Sequence, residues 1–129
     1  LNYYKELLNK FISKKMICTN PDLIVDRGKK REFCAGSVAV TFEKMGGEVV
    51  YFGKPFPEVY KQSMVNNERN VLAIGDNLNT DIKGANNMNY DSMIITNGIH
   101  KEEIEEKGIE KILKNYEVKV NFMQSELKW

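Results

Sequence analysis

The sequence of 129 residues lacks the features that mark several large classes of protein. Its apolar runs reach only about four residues, as at 71–74, so no segment predicts a membrane span. Charged residues interrupt the first apolar stretch, which excludes a signal peptide there. Lys and Arg total 19 against 18 for Asp and Glu, a balance that offers no basic surface for nucleic acid. We therefore expect neither a membrane nor a nucleic-acid partner.

Cysteine and histidine are also scarce, with two Cys and one His. Two cysteines cannot form a disulfide framework, and they favour a reducing, cytoplasmic location. We expect Cys18 and Cys34 to act as small apolar residues rather than as reactive thiols. The single histidine, His100, either faces a functional site or lies in a loop or at a helix start, and the second alternative is favoured.

What the sequence contains is an alternation of short apolar runs and helical patterns. Continuous apolar runs predict strands at 16–19, 23–25, 49–52, 71–74 and 92–96, and Val118 and Val120 predict a last edge strand. Helical spacing predicts helices at 3–14, 36–45, from Pro57 to Met64, and at 80–87, 102–107 and 109–115. Residues 27–31 predict an exposed basic loop. The order predicts an α/β fold with a parallel sheet flanked by helices, whose ligands bind beyond the carboxyl ends of the strands.

Polar residues follow two of these predicted strands. A Gly-Lys-Pro triplet at 53–55 places Lys54 at one strand tip, and Gly-Asp-Asn-Leu-Asn-Thr-Asp at 75–81 places Asp76 at another, with Asp81 in the next helical turn. Carboxylate oxygens suit Mg²⁺, and a nearby lysine neutralises the charge of a phosphate. Separately, the triplet is a common turn and Asp81 a stabilising residue at a helix start. In combination they predict a phosphoryl site.

Together, these two segments resemble motifs III and IV of the haloacid dehalogenase (HAD) superfamily. The segments Thr-Asn-Pro-Asp at 19–22 and Thr-Asn-Gly-Ile at 96–99 are similar to its class IIA subgroup, which includes 4-nitrophenyl and nucleotide phosphatases. The resemblance implies a Mg²⁺-dependent phosphomonoester hydrolase with a Rossmann-like core and an α/β cap, acting on a small phosphorylated metabolite.

The resemblance also implies a role for each matched residue. Lys54 is implied to be catalytic, because it steadies the nucleophile and the transferring phosphoryl group. Asp76 is implied to bind Mg²⁺, and Asp81 to support the metal site. Asn77 is implied to lie against the substrate and the water shell of the metal.

The chain departs from the family in one motif. The nucleophile of the family is the first Asp of a D-x-D motif, and none of the five aspartates here has another two positions away. Asp26 is the nearest match, and we predict it to be a loop residue. The resemblance thus implies the end of the cap at 1–48 and the second half of the core at 49–129, and the start at Leu1 rather than Met fits a missing N-terminal part.

Without the nucleophile we expect the chain alone to be inactive, since an aspartyl-phosphate needs that carboxylate. Uncovered sheet edges then predict either self-association or pairing with a missing N-terminal half. The alternative is a catalytically inactive remnant or a binding protein of the same fold.

Overall fold

The computed structural model describes residues 2–64 and 70–128. The chain divides into two compact units, Leu1–Lys54 and Pro55–Trp129, which are described separately below. Within the described residues, no helix has the length and apolar character needed to cross a bilayer.

The first unit contains two helices and four short strands in its described residues. Its elements are α1 (Asn2–Asn9), β1 (Met16–Cys18), β2 (Ile24–Arg27), β3 (Lys30–Phe33), α2 (Ala35–Lys44) and β4 (Val49–Tyr51). Strand β1 pairs in parallel with β4, while β2 and β3 form an antiparallel hairpin. The buried Ala39 and Phe42 of α2 contribute the apolar core, with Cys18 of β1. Both cysteines are free thiols.

The hairpin corrects two predictions made from the sequence. Asp26 lies in a strand rather than a loop, and the basic run at 27–31 includes the turn and the first half of β3. Arg31 donates two hydrogen bonds of 2.9 and 3.0 Å to the Asp26 carboxylate across the hairpin. That guanidinium holds the pKa of Asp26 below its usual value. Charged residues on exposed strands lack the apolar periodicity that reveals a strand, which explains the error.

The second unit is built on a parallel sheet with helices along it. Its elements are α3 (Pro57–Ser63), β5 (Leu72–Gly75), a π-helical turn (Leu78–Ile82), α4 (Lys83–Asn87), β6 (Asp91–Ile95), α5 (Lys101–Lys107), α6 (Ile109–Asn115) and β7 (Phe122–Gln124). The strand order is β5-β6-β7, and both pairings are parallel. The predicted α/β fold with a parallel, helix-flanked sheet is confirmed.

The core of this unit lies between the sheet and its helices. Five buried side chains form it, namely Leu78, Ile82, Ile94, Ile112 and Val118. Burying an aliphatic side chain of this size stabilises the fold by about 1.5–3 kcal/mol. Because the π-helical turn supplies two of the five, the loop after β5 is anchored by the core.

The last strand lies beyond its predicted position. Val118 is 7% exposed and packs into the core, and the strand begins only at Phe122. The chain reverses after α6 through Glu117, whose φ is 55°. The side chain of Asn121 then accepts a 3.0 Å hydrogen bond from the Ser92 amide, which sets the register of the following strand on β6. The alternation of Val118 and Val120 in the sequence therefore results from packing against the core and not from a strand.

Candidate active site

In the first unit, two of the predicted motifs meet at one end of a strand pair. Parallel pairing of β1 with β4 brings the loops at 19–22 and 53–54 together, and the Phe52 amide donates a 2.8 Å hydrogen bond to the Cys18 carbonyl. Gly53 has a φ of 89°, and a Cβ there would lie 2.6 Å from the Thr19 carbonyl oxygen. Only glycine fits this turn, and Lys54 follows it as an exposed residue at the end of the unit.

In the second unit, the structure brings Asp76 and Asp81 together, as the spacing predicted. Asp76 directly follows β5, and Asp81 lies in the π-helical turn with only 9% of its surface exposed. The Oδ2 atom of Asp81 accepts hydrogen bonds from the amides of Asp76 at 3.2 Å and Asn77 at 3.1 Å. These two backbone N–H donors therefore hold the Asp81 carboxylate against the backbone that carries Asp76.

Two glycines make this close approach possible. A Cβ at Gly75 would lie 2.2 Å from Asp81 Cγ, and a Cβ at Gly98 would lie 2.2 Å from both the Cβ and Oδ2 atoms of Asp76. These distances are far below van der Waals contact, so any larger residue would displace the carboxylates. Gly98 belongs to the segment at 96–99, so one role of that segment is to leave room for the Asp76 carboxylate.

Asn77 and Ile99 complete the hydrogen bonds around the acid pair. The Oδ1 atom of Asn77 accepts a 3.0 Å hydrogen bond from the Asn79 amide and caps the π-helical turn. The Ile99 amide donates a 3.0 Å hydrogen bond to Asp76 Oδ2. Asn77 therefore shapes the loop, a role that the sequence prediction did not include.

His100 is a residue whose contribution the sequence reading underestimated. It lies directly before α5, as the favoured alternative predicted, but its side chain is 10% exposed. Its Nε2 atom lies 3.2 Å from the Leu78 amide nitrogen in the loop that carries the acid pair. His100 therefore both lies at a helix start and contacts the loop of the acid pair. No local sequence signal indicates the contact.

Tyr60 is a second residue that sequence reasoning missed. Among the described residues its buried hydroxyl has no hydrogen-bond partner. Burial, together with the negative charge of Asp81 and the neighbouring Tyr90, raises the pKa of Tyr60 to about 12. A Cβ at Gly84 would overlap the hydroxyl, so this glycine accommodates the ring beside α4.

The donor chemistry of the acid pair fits Mg²⁺. Mg²⁺ binds through one or two carboxylates and keeps several waters, and Asp76 and Asp81 supply oxygen donors of this kind. Within residues 2–64 and 70–128, no cluster of three acidic, His or Cys side chains forms a fuller metal site. The pair is thus compatible with a hydrated Mg²⁺ ion rather than a closed protein cage.

Comparison with known proteins identifies the family. The family model described as HAD-hydrolase-like matches residues 51–118, which include both motifs. The chain belongs to the HAD-like hydrolases. The predicted resemblance to the HAD superfamily is therefore confirmed.

A curated relative in this family is the acid sugar phosphatase of Staphylococcus saprophyticus. It is 32% identical over 102 residues, which cover 74% of this chain and 39% of that protein. A haloacid dehalogenase-like hydrolase from Brucella suis has a structure similar to this chain, with 28% identity and a TM-score of 0.77. The match covers 98% of this chain and 50% of that one. The chain thus spans less than half of the curated relative and half of this structure.

Two structures of lower sequence identity share the fold. The p-nitrophenyl phosphatase of Archaeoglobus fulgidus is 15% identical with a TM-score of 0.68, covering 98% of this chain and 49% of its own. A glycerol phosphate phosphatase of Mycobacterium tuberculosis in complex with magnesium is 24% identical with a TM-score of 0.57, covering 77% of this chain and 31% of its own. Divalent metal is therefore bound by a protein of this fold.

Proposed function

We propose that this chain is the part of a Mg²⁺-dependent phosphomonoester phosphatase that carries the lysine and the metal-binding acids. The observation that carries the proposal is the acid pair, in which two backbone amides hold the Asp81 carboxylate beside Asp76 at the end of β5. Parallel sheets bind ligands at this end of their strands. The substrate class is a small phosphorylated metabolite, in line with the acid sugar phosphatase and p-nitrophenyl phosphatase to which the chain is similar.

Each site residue has a distinct task in this proposal. Asp76 and Asp81 hold the ion, which when bound neutralises charge on the phosphate oxygens. Lys54 stabilises the negative charge that develops on the transferring phosphoryl group and is the catalytic residue. Asn77 keeps the loop in shape and would contribute to holding the substrate and the water shell of the metal.

Hydrolysis through an aspartyl-phosphate also requires a nucleophile that this sequence does not contain. None of its aspartates forms a D-x-D motif, and the matched lysine and acids stabilise charge rather than attack phosphorus. We therefore propose that residues 1–48 form the end of a cap, that residues 49–129 form the second half of a core, and that the chain alone does not turn over substrate.

The sheet of the second unit has an exposed edge, which supports the proposal that another polypeptide segment pairs with it. Strand β5 is at the edge of the described sheet, and its Leu72 and Ile74 are 43% and 44% exposed. Unpaired edges with apolar side chains are templates for strand pairing. We propose that a segment carrying the missing motif, or a second copy of this chain, covers this edge.

A second candidate function is a binding protein or inactive remnant that keeps the fold without chemistry. The combination of a retained acid pair and an absent D-x-D motif favours it. We expect the natural protein to be cytoplasmic. Its intact mass, measured from its source, distinguishes the phosphatase from the inactive alternative. A mass well above 14.9 kDa favours the phosphatase, and a mass near that value favours the alternative.

Mg²⁺ binding and hydrolysis of p-nitrophenyl phosphate test the proposed function. We expect the chain to bind Mg²⁺ in calorimetry, Asp76→Asn to weaken binding at least tenfold by removing one charged ligand, and hydrolysis to be undetectable in both. Asp91→Asn, which changes an exposed acid at the start of β6, is the matched control and should bind as the wild type does. Mg²⁺ affinity that survives Asp76→Asn would contradict the proposal.

A further inference from the structure

The imidazole of His100 is hydrogen-bonded to the backbone of the acid loop. Its Nε2 atom lies 3.2 Å from the amide nitrogen of Leu78, the first residue of the π-helical turn that contains Asp81. A backbone N–H can only donate, so Nε2 accepts this hydrogen bond and carries no proton. The neutral ring therefore carries its proton on Nδ1.

The opposite edge of the ring is anchored to the helices. Nδ1–H donates to Glu103 Oε2 at 3.3 Å, and the Tyr116 hydroxyl donates to the same oxygen at 3.0 Å. Lys107 Nζ donates to Glu103 Oε1 at 3.1 Å. The Tyr116 ring also packs edge-on against the imidazole, with 5.0 Å between ring centroids. These contacts fix both the tautomer and the orientation of the ring.

Two consecutive residues thus hold the acid loop at two points. The Ile99 amide donates to Asp76 Oδ2, and His100 accepts from Leu78 two residues farther along the loop. We propose that His100 is a positioning residue for the acid pair: its imidazole joins the loop at 76–81 to α5 and α6 and keeps the carboxylates in place for Mg²⁺. This inference rests on the proposed function, since it assigns His100 to that site.

The tautomer gives a direct test in the wild-type chain. Because the sequence contains one histidine, a long-range ¹H–¹⁵N NMR spectrum of the imidazole has a single source. At neutral pH we expect a protonated Nδ1 and an unprotonated Nε2. A ring protonated on Nε2, or on both nitrogens, would overturn the proposal whatever the chain binds.

Two near-isosteric variants separate the two hydrogen bonds of the ring. His100→Gln keeps an acceptor where Nε2 lies, while His100→Asn keeps a polar group only where Nδ1 lies. We expect His100→Ala and His100→Asn to speed amide hydrogen exchange at Leu78 and to weaken Mg²⁺ binding roughly tenfold, and His100→Gln to restore both. Val118→Ala removes volume from the core cluster that also contains Leu78 and Ile82 but leaves the hydrogen bonds of His100 in place, so it controls for a general loss of stability.

The readouts distinguish failure of this inference from failure of the proposed function. If His100→Ala leaves the Leu78 amide and the Mg²⁺ affinity unchanged, the positioning role is wrong while the metal site stands. If the wild-type chain binds no Mg²⁺, the proposed function fails, and unchanged exchange at Leu78 in His100→Ala would then overturn the positioning role separately. If a variant fails to fold, the tautomer of His100 in the wild-type chain still tests the positioning role.

Discussion

At the scale of single residues, Tyr60 combines burial, a neighbouring carboxylate and a hydroxyl with no described hydrogen-bond partner. Leaving a buried hydroxyl unpaired costs about 1–3 kcal/mol, so Tyr60→Phe should raise the free energy of unfolding by about 1 kcal/mol in urea denaturation at pH 7.

The raised pKa of Tyr60, about 12 against an ordinary value of 10.0, makes the wild type lose stability as pH rises through that interval, because the unfolded phenol ionises first. Tyr60→Phe should reduce this alkaline loss, and an unchanged pH profile would contradict the assignment.

At the scale of elements, the hydrogen bonds of Glu103 connect α5 to α6. Burial alone would raise the pKa of Glu103, but hydrogen bonds from Lys107, Tyr116 and His100 lower it below the ordinary 4.5. A lowered folded pKa stabilises the fold above the unfolded value, and this contribution is lost as pH falls through the folded value. Glu103→Gln should therefore cost about 1 kcal/mol at pH 7 in urea denaturation, and the difference should shrink below pH 4.5. Glu106→Gln, on the same helix, is the control and should leave stability unchanged at both pH values.

Elements with a strong local pattern were predictable from sequence, and those set by distant contacts were not. The strand before Asp76 is a continuous apolar run, and Pro57 opens α3 at its first position, so both have local signals. The approach of Asp76 to Asp81 followed from their spacing. The role of His100 depends on a backbone amide 22 positions away, and that of Val118 on packing in the core, so neither leaves a local mark.

At the scale of the whole molecule, we propose that the exposed edges of the described sheet are where copies of the chain would associate. Ile74 on β5 is 44% exposed at one edge of the sheet, and Met123 on β7 is 57% exposed at the other. We expect concentration-dependent association in sedimentation velocity, and Ile74→Lys should reduce it because a charged residue blocks edge pairing. Phe33→Lys, in the hairpin of the first unit, is the control. If Phe33→Lys reduces association and Ile74→Lys does not, the copies associate through the hairpin, and the proposal that they pair through the edge of the sheet is wrong.

The π-helical turn makes the site sensitive to the length of the chain as well as to its residues. The Ile82 amide reaches the Asn77 carbonyl, one residue farther back than in an α-helix. Deleting the exposed Asn79 would allow ordinary helical geometry and turn the following acid by about 100° around the axis, since each residue of an α-helix advances by that angle. An alignment gap at this point in a homologue would therefore signal a lost or relocated carboxylate even where the aspartates themselves remain.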